Sequence, residues 1–330
     1  MKKLARSVLA LALVCAGCGG GGGASSAAAG TVPEAAVSAA VTVGVGSVAA
    51  ASQYTCPVAT TSSGTLNCAA LPLGDSHYST AGPSVGTVYV CNVPNGQAPS
   101  ATGPWINTAA GTWDALTKDV VTGSVSWPGS FSATVSGSSL DVAGNGLPQA
   151  PITTGTFPIT SSQAVYQYDA NPNSIAAQSI NYALPYNPTE AASPGCLSGG
   201  RIGMALNGVS VYDALDAVGH DAVAREGQDS CHGHPDQSST YHYHGWLFAC
   251  VTDAGSATQN SSLLGYALDG YGIYGPWYNG KVLTTADLDM CHGTTSVVMW
   301  HGAPTSIYHY VSTYDFPYTL GCYHGTPVPA

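Results

Sequence analysis

Beyond residue 52, short runs of alternating apolar and polar residues are broken every few positions by Gly, Pro, Asn or Ser. Gly86-Thr-Val-Tyr-Val-Cys91, Gly123-Ser-Val-Ser-Trp127 and Gly129-Ser-Phe-Ser-Ala-Thr-Val135 are examples. A period of two with β-branched and aromatic residues is the mark of a half-buried strand. Helical periodicity is confined to Val211–Val223 and Thr285–Asp289. The pattern predicts a mainly β protein: a disulfide-stapled β-sandwich-like or irregular β domain.

The first residues differ. Lys2, Lys3 and Arg6 precede a short apolar run, Ser7 to Val14, which is too short to span a bilayer. Cys15-Ala16-Gly17-Cys18 and five glycines follow, so residues 1–18 are expected to form a lipoprotein-type signal peptide with Cys18 as the lipidated residue. Residues 19–52 are Gly, Ala, Ser and Val with almost no charge and read as a tether. An N-terminal β-rich part is expected over 53–175 and a C-terminal part over 176–325. The chain is therefore expected to be exported, as a periplasmic or cell-surface lipoprotein of the outer membrane, touching the membrane only through Cys18.

The C-terminal part repeats itself. Gly203-Met-Ala-Leu-Asn-Gly208 matches Gly265-Tyr-Ala-Leu-Asp-Gly270, Asp229-Ser-Cys-His-Gly233 matches Asp289-Met-Cys-His-Gly293, and Tyr241-His-Tyr-His244 matches Tyr308-His-Tyr-Val311. The offsets are 62, 60 and 67 residues, which places the repeats at about 196–250 and 251–322. Eight cysteines outside the signal region allow on the order of a hundred pairings. Each repeat ends in a cysteine, so the economical pairs are Cys231–Cys250 and Cys291–Cys322, with Cys56–Cys68 and Cys91–Cys196 completing the set. Export makes these disulfides and not thiolate ligands.

Tyr241-His-Tyr-His-Gly245, Gly265-Tyr-Ala-Leu-Asp-Gly270 and Asp315-Phe-Pro-Tyr-Thr-Leu-Gly-Cys322, with Tyr168-Asp-Ala-Asn-Pro-Asn-Ser-Ile175 upstream, resemble the YHYH-domain proteins over about residues 85 to 325. The resemblance implies an exported bacterial member of that family. It implies no activity, because the family is defined by its motif. Thr294 and Val311 depart from the first repeat's pattern, so the second repeat is expected to have lost part of any shared ligand set.

Charge narrows the partners. Without the signal, four basic residues face 18 acidic ones, a net 4 − 18 = −14. Such a chain attracts cations and repels nucleic acid and anionic membranes. Nine of ten histidines lie beyond residue 219, and four fall together: His232, His234, His242 and His244. On a strand, His242 and His244 share one face, while Tyr241 and Tyr243 take the other. Imidazoles so grouped suit zinc or copper, with His292 and His309 as further candidates and Asp229 and Asp236 as carboxylates that could orient the rings. Calcium is the weaker option, for no regular Asp/Asn loop is present.

Asp269, in Leu268-Asp-Gly270, is the candidate proton-transfer residue; its repeat counterpart is neutral Asn207. The competing reading makes Asp269 a turn former. Three functions follow: a metal-binding protein, a metal-dependent hydrolase or oxidoreductase with an open metal position, or a glycan-binding or structural surface module using the 19 tyrosines and six tryptophans.

Overall fold

The structure, a computed structural model, describes residues 54–99, 102–251 and 254–330. Cys15, Cys18 and the tether through residue 52 lie outside these described residues.

The protein is mainly β. The strands that organise it are β1 (Phe131–Ser136), β2 (Ser139–Gly144), β3 (Ile180–Pro185), β4 (Arg201–Ala205), β5 (Ser210–Tyr212), β6 (Gly233–Pro235), β7 (Tyr241–Tyr243), β8 (Leu263–Ala267), β9 (Gly272–Tyr274), β10 (Gly293–Trp300) and β11 (Ala303–Val311). Eight of them form one sheet in the order β6-β7-β5-β4-β8-β9-β11-β10. β5 and β7 are parallel, as are β9 and β11, and the remaining neighbours are antiparallel. The described residues contain no second sheet of that size. β2 lies between β1 and β3 in a three-stranded sheet, and the rest are two- and three-stranded ribbons. The irregular β domain is thus the form found.

The large sheet reads the same from both edges. Its central register pairs Met204 with Tyr266, the two residues that the matched segments Gly203-Met-Ala205 and Gly265-Tyr-Ala267 equate. The hairpins on either side turn through Asn207-Gly208 and Asp269-Gly270, with φ of 89° at Gly208 and 88° at Gly270. Those left-handed values favour glycine, and a Cβ there would also meet a backbone carbonyl, that of Ser130 or Pro185, at 2.5 Å.

The segment Val211–Val223 is not the predicted helix. β5 takes its start, and a single helical turn, α1 (Ala222–Arg225), takes its end. Between them Asp213 accepts from the N–H of Leu215, and Asp216 accepts from those of Val218 and His220, at 2.8–2.9 Å. Aspartates that bond nearby backbone in this way favour turns over helix. The helical expectation near Thr285 is met by a 3₁₀ turn, Thr285–Asp287, capped by Thr284.

Four disulfides staple the chain: Cys56–Cys68, Cys91–Cys196, Cys231–Cys250 and Cys291–Cys322. They fit an exported protein. Among the described residues, no helix is long and apolar enough to cross a membrane. One buried apolar cluster runs from Tyr54 to Tyr323, with Trp113, Trp246, Tyr241, Tyr243 and Tyr310 almost fully enclosed.

Candidate metal centre

The site is set by β6 and β7. Their antiparallel register puts His234 directly opposite His242, and His244 follows on the same face. The tyrosines of β7 take the opposite face into the core, each with a polar partner. Tyr241 donates to Asp229 at 2.8 Å, and Tyr243 accepts from the Asn207 amide at 2.8 Å. Gly233 is needed beside them, because a Cβ would lie 2.3 Å from the Tyr241 hydroxyl.

The imidazoles of His234, His242 and His244 converge, with one nitrogen from each within 4.8 Å of the others, and all three residues are buried. Two have their tautomers set. His242 Nδ1–H donates to the Thr240 carbonyl at 2.9 Å, and His244 Nδ1–H donates to the Asp213 carbonyl at 2.5 Å. Both Nε2 atoms therefore carry lone pairs, and they face each other at 3.0 Å. Two lone pairs at that distance repel unless a proton or a cation sits between them. Burial pushes the His242 imidazole down to about 4 and the His244 imidazole to about 3, which disfavours a proton between them. A metal cation answers the arrangement, as in sites where a backbone carbonyl fixes the distal nitrogen of each ligand.

Further groups hold the rings. The Tyr212 ring stacks on His242 at 3.8 Å, and its hydroxyl donates to Asp236 at 2.9 Å. The Asn171 amide donates to the Pro235 carbonyl at 3.0 Å and lies 3.4 Å from His234 Nδ1. Glu226, at the end of α1, brings Oε2 to 3.2 Å from His234 Nε2 and 3.4 Å from His244 Nε2. Lys118 is wholly buried, and its Nζ donates to the Glu226 backbone carbonyl at 2.8 Å. Burial lowers its amine to about 8. These residues line or support a cleft of about 1310 Å³, whose wall includes Asp169, Asp213, Asp216, Glu226 and Asp236 but no lysine or arginine.

Other candidates lie elsewhere. His232 stacks on Tyr54 at 3.6 Å and against Trp246 at 4.5 Å, so it belongs to the aromatic core. Its backbone is left-handed, φ 59°, because it closes the turn built on Asp229. Asp229 therefore anchors that turn and Tyr241 and orients no imidazole of the group. Asp236 reaches His242 indirectly, through Tyr212 and through its hydrogen bonds with Thr240, the residue whose carbonyl holds His242 Nδ1. His309 donates to the Ile307 carbonyl at 3.0 Å, the counterpart of the His242 bond, but Thr294 and Val311 stand where His234 and His244 stand in the first repeat.

Asp269 is buried in the β8–β9 turn, where it accepts from Tyr310 at 2.5 Å and from the Gly325 N–H at 2.9 Å. It does not line the cleft. The turn-forming reading is the one the geometry supports. Glu226 and Lys118 went unrecognised in the sequence. Glu226 ends an apolar helical turn rather than sharing a strand with the histidines. The legible sign was scarcity: the chain has three glutamates, and Glu226 lies eight residues before His234.

Residues 181–283 match the family model described as YHYH protein. The chain carries a YHYH domain. The match is narrower than the span of the motifs, about 85 to 325. It contains Glu226, the three converging histidines and Cys231–Cys250, and it ends before Cys291. No curated protein and no solved structure matches the chain. The YHYH motif itself divides its work: its tyrosines build the core and its histidines build the centre.

His292 lies beyond the matched YHYH segment and provides an internal control. It is buried, its Nε2 lies 2.9 Å from Thr313 Oγ1, and burial pushes its imidazole down to about 3. In the unfolded chain it titrates near 6.5. Below that pH the unfolded state binds a proton that the folded state refuses. The stability due to neutral burial is thus full above about 6.5 and is lost as pH falls towards about 3. His292→Gln removes this loss. The stability gap between wild type and variant should narrow by about 1.4 kcal/mol per pH unit between pH 6 and 4, measured by urea unfolding. A constant gap would refute a buried neutral His292.

Proposed function

We propose that the chain is an exported protein that holds one copper or zinc ion through His234, His242 and His244. The observation that carries this reading is the 3.0 Å approach of two Nε2 atoms whose Nδ1 protons are both committed to carbonyls. The acidic cleft supports it, since a surface of that sign concentrates cations. A lipid on Cys18 would tether the centre outside the cell membrane, with residues 19–52 as spacer.

A second reading is favoured by one further observation. The centre opens onto the cleft, whereas a purely sequestering site needs no such space. An open position there would let the metal activate water or bind a substrate, which makes a metal-dependent hydrolase or oxidoreductase the alternative. The test common to both is metal content. Mature chain recovered from an oxidising compartment and dialysed should retain about one copper or zinc per chain by elemental analysis. Only the first repeat has the set, so two per chain are not expected. No retention, even after reconstitution with either metal, would overturn the proposal.

A further inference from the structure

We propose that Glu226 is a protein ligand of this centre, making it a site of three imidazoles and one carboxylate. The inference rests on the metal reading above and adds to it a ligand that the motif does not contain.

Spacing is the first support. Donor atoms bound about 2.0–2.2 Å from one ion, at tetrahedral or octahedral angles, lie about 2.9–3.5 Å apart. Three contacts meet that condition: His242 Nε2 to His244 Nε2 at 3.0 Å, Glu226 Oε2 to His234 Nε2 at 3.2 Å, and Glu226 Oε2 to His244 Nε2 at 3.4 Å.

Ring orientation is the second. The Nδ1 atoms of His242 and His244 face the Thr240 and Asp213 carbonyls, so their Nε2 atoms are the ones turned toward each other and, for His244, toward Glu226.

Placement is the third. Glu226 caps α1 through its N–H to the Ala222 carbonyl, and Lys118 holds its own carbonyl. The carboxylate is thus carried on backbone fixed from two sides, and only 8% of the residue is exposed. Its Oε2 has no hydrogen-bond partner other than these imidazole contacts.

A carboxylate among the ligands has a chemical consequence. Copper(I) prefers soft sulfur donors, and a mixed nitrogen and oxygen set suits zinc(II) or copper(II). With a divalent ion, one bound carboxylate leaves the centre at a net +1.

Glu226→Gln in the full mature chain tests the proposal, with zinc affinity measured by chelator competition and the copper(II) site by electron paramagnetic resonance. We expect zinc affinity to fall at least about 100-fold, beyond what removing a group outside the coordination sphere costs, and the copper(II) spectrum to change. A folded variant with unchanged affinity and spectrum would overturn the inference and leave the three-histidine reading standing. A wild-type chain that binds neither metal would overturn both. If the variant fails to fold, wild type labelled with ¹³C-glutamate decides. The chain has only three glutamates, so one shifted carboxylate stretch on zinc addition is expected, and no shift overturns the assignment.

Discussion

Replacing His242 and His244 together with alanine should reduce bound metal from about one per chain to less than about a tenth, while the chain still folds. Both residues supply an Nε2 to the centre, and the loss of two of three imidazoles leaves His234 and Glu226 as a weak pair. The fold should survive because the opposite face of β7 is untouched. Tyr241 keeps Asp229, Tyr243 keeps Asn207, and Cys231–Cys250 still closes the segment. Some stability is lost. The Thr240 carbonyl keeps the Asp236 N–H, and the Asp213 carbonyl loses its imidazole donor, at about 1–3 kcal/mol if left without water. Elemental analysis measures the metal, and near-ultraviolet circular dichroism reports the tyrosine packing. Full metal retention in a folded double variant would place the ion elsewhere.

The second large effect is expected from the disulfide around the site. Cys231–Cys250 spans 19 residues, and all three converging histidines lie inside that loop. Cys291–Cys322 spans 31 residues and encloses none of them. Loop-closure entropy makes each worth about 3–4 kcal/mol. Cys231→Ser/Cys250→Ser and Cys291→Ser/Cys322→Ser should therefore lose comparable stability in urea unfolding. Their metal affinities should separate: only the first pair frees β6 and β7 to fluctuate against each other, and only it should lose affinity. Equal loss in both would mean that the centre responds to global stability and not to its own staple.

Much of this site was legible because it depends on strand alternation. A period of two places His242 and His244 on one face and their tyrosine neighbours on the other, whatever the surrounding fold. The repeat likewise pointed to Cys231–Cys250 and Cys291–Cys322, and the other two pairs followed only as the cysteines left over. His232 misled because it is close in sequence to His234, yet a left-handed turn at His232 carries its ring to Tyr54 and Trp246. Asp269 misled because a carboxylate facing a neutral counterpart looks functional. Asp269 and Asn207 do the same work, each anchoring from a hairpin turn the second tyrosine of its own repeat's Tyr-His-Tyr strand, Tyr310 or Tyr243. Glu226 and Lys118 could not be read from strand spacing, since Glu226 ends a helical turn and Lys118 reaches the Glu226 carbonyl by long-range packing. Lys118 is 108 residues from the carbonyl it binds.

The most direct measurement is anomalous diffraction from crystals of the mature chain loaded with zinc or copper, recorded on either side of the metal's absorption edge. One strong peak is expected within about 2.0–2.2 Å of the Nε2 atoms of His234, His242 and His244. A peak at another place, or none with the three imidazoles still converged, would contradict the metal centre.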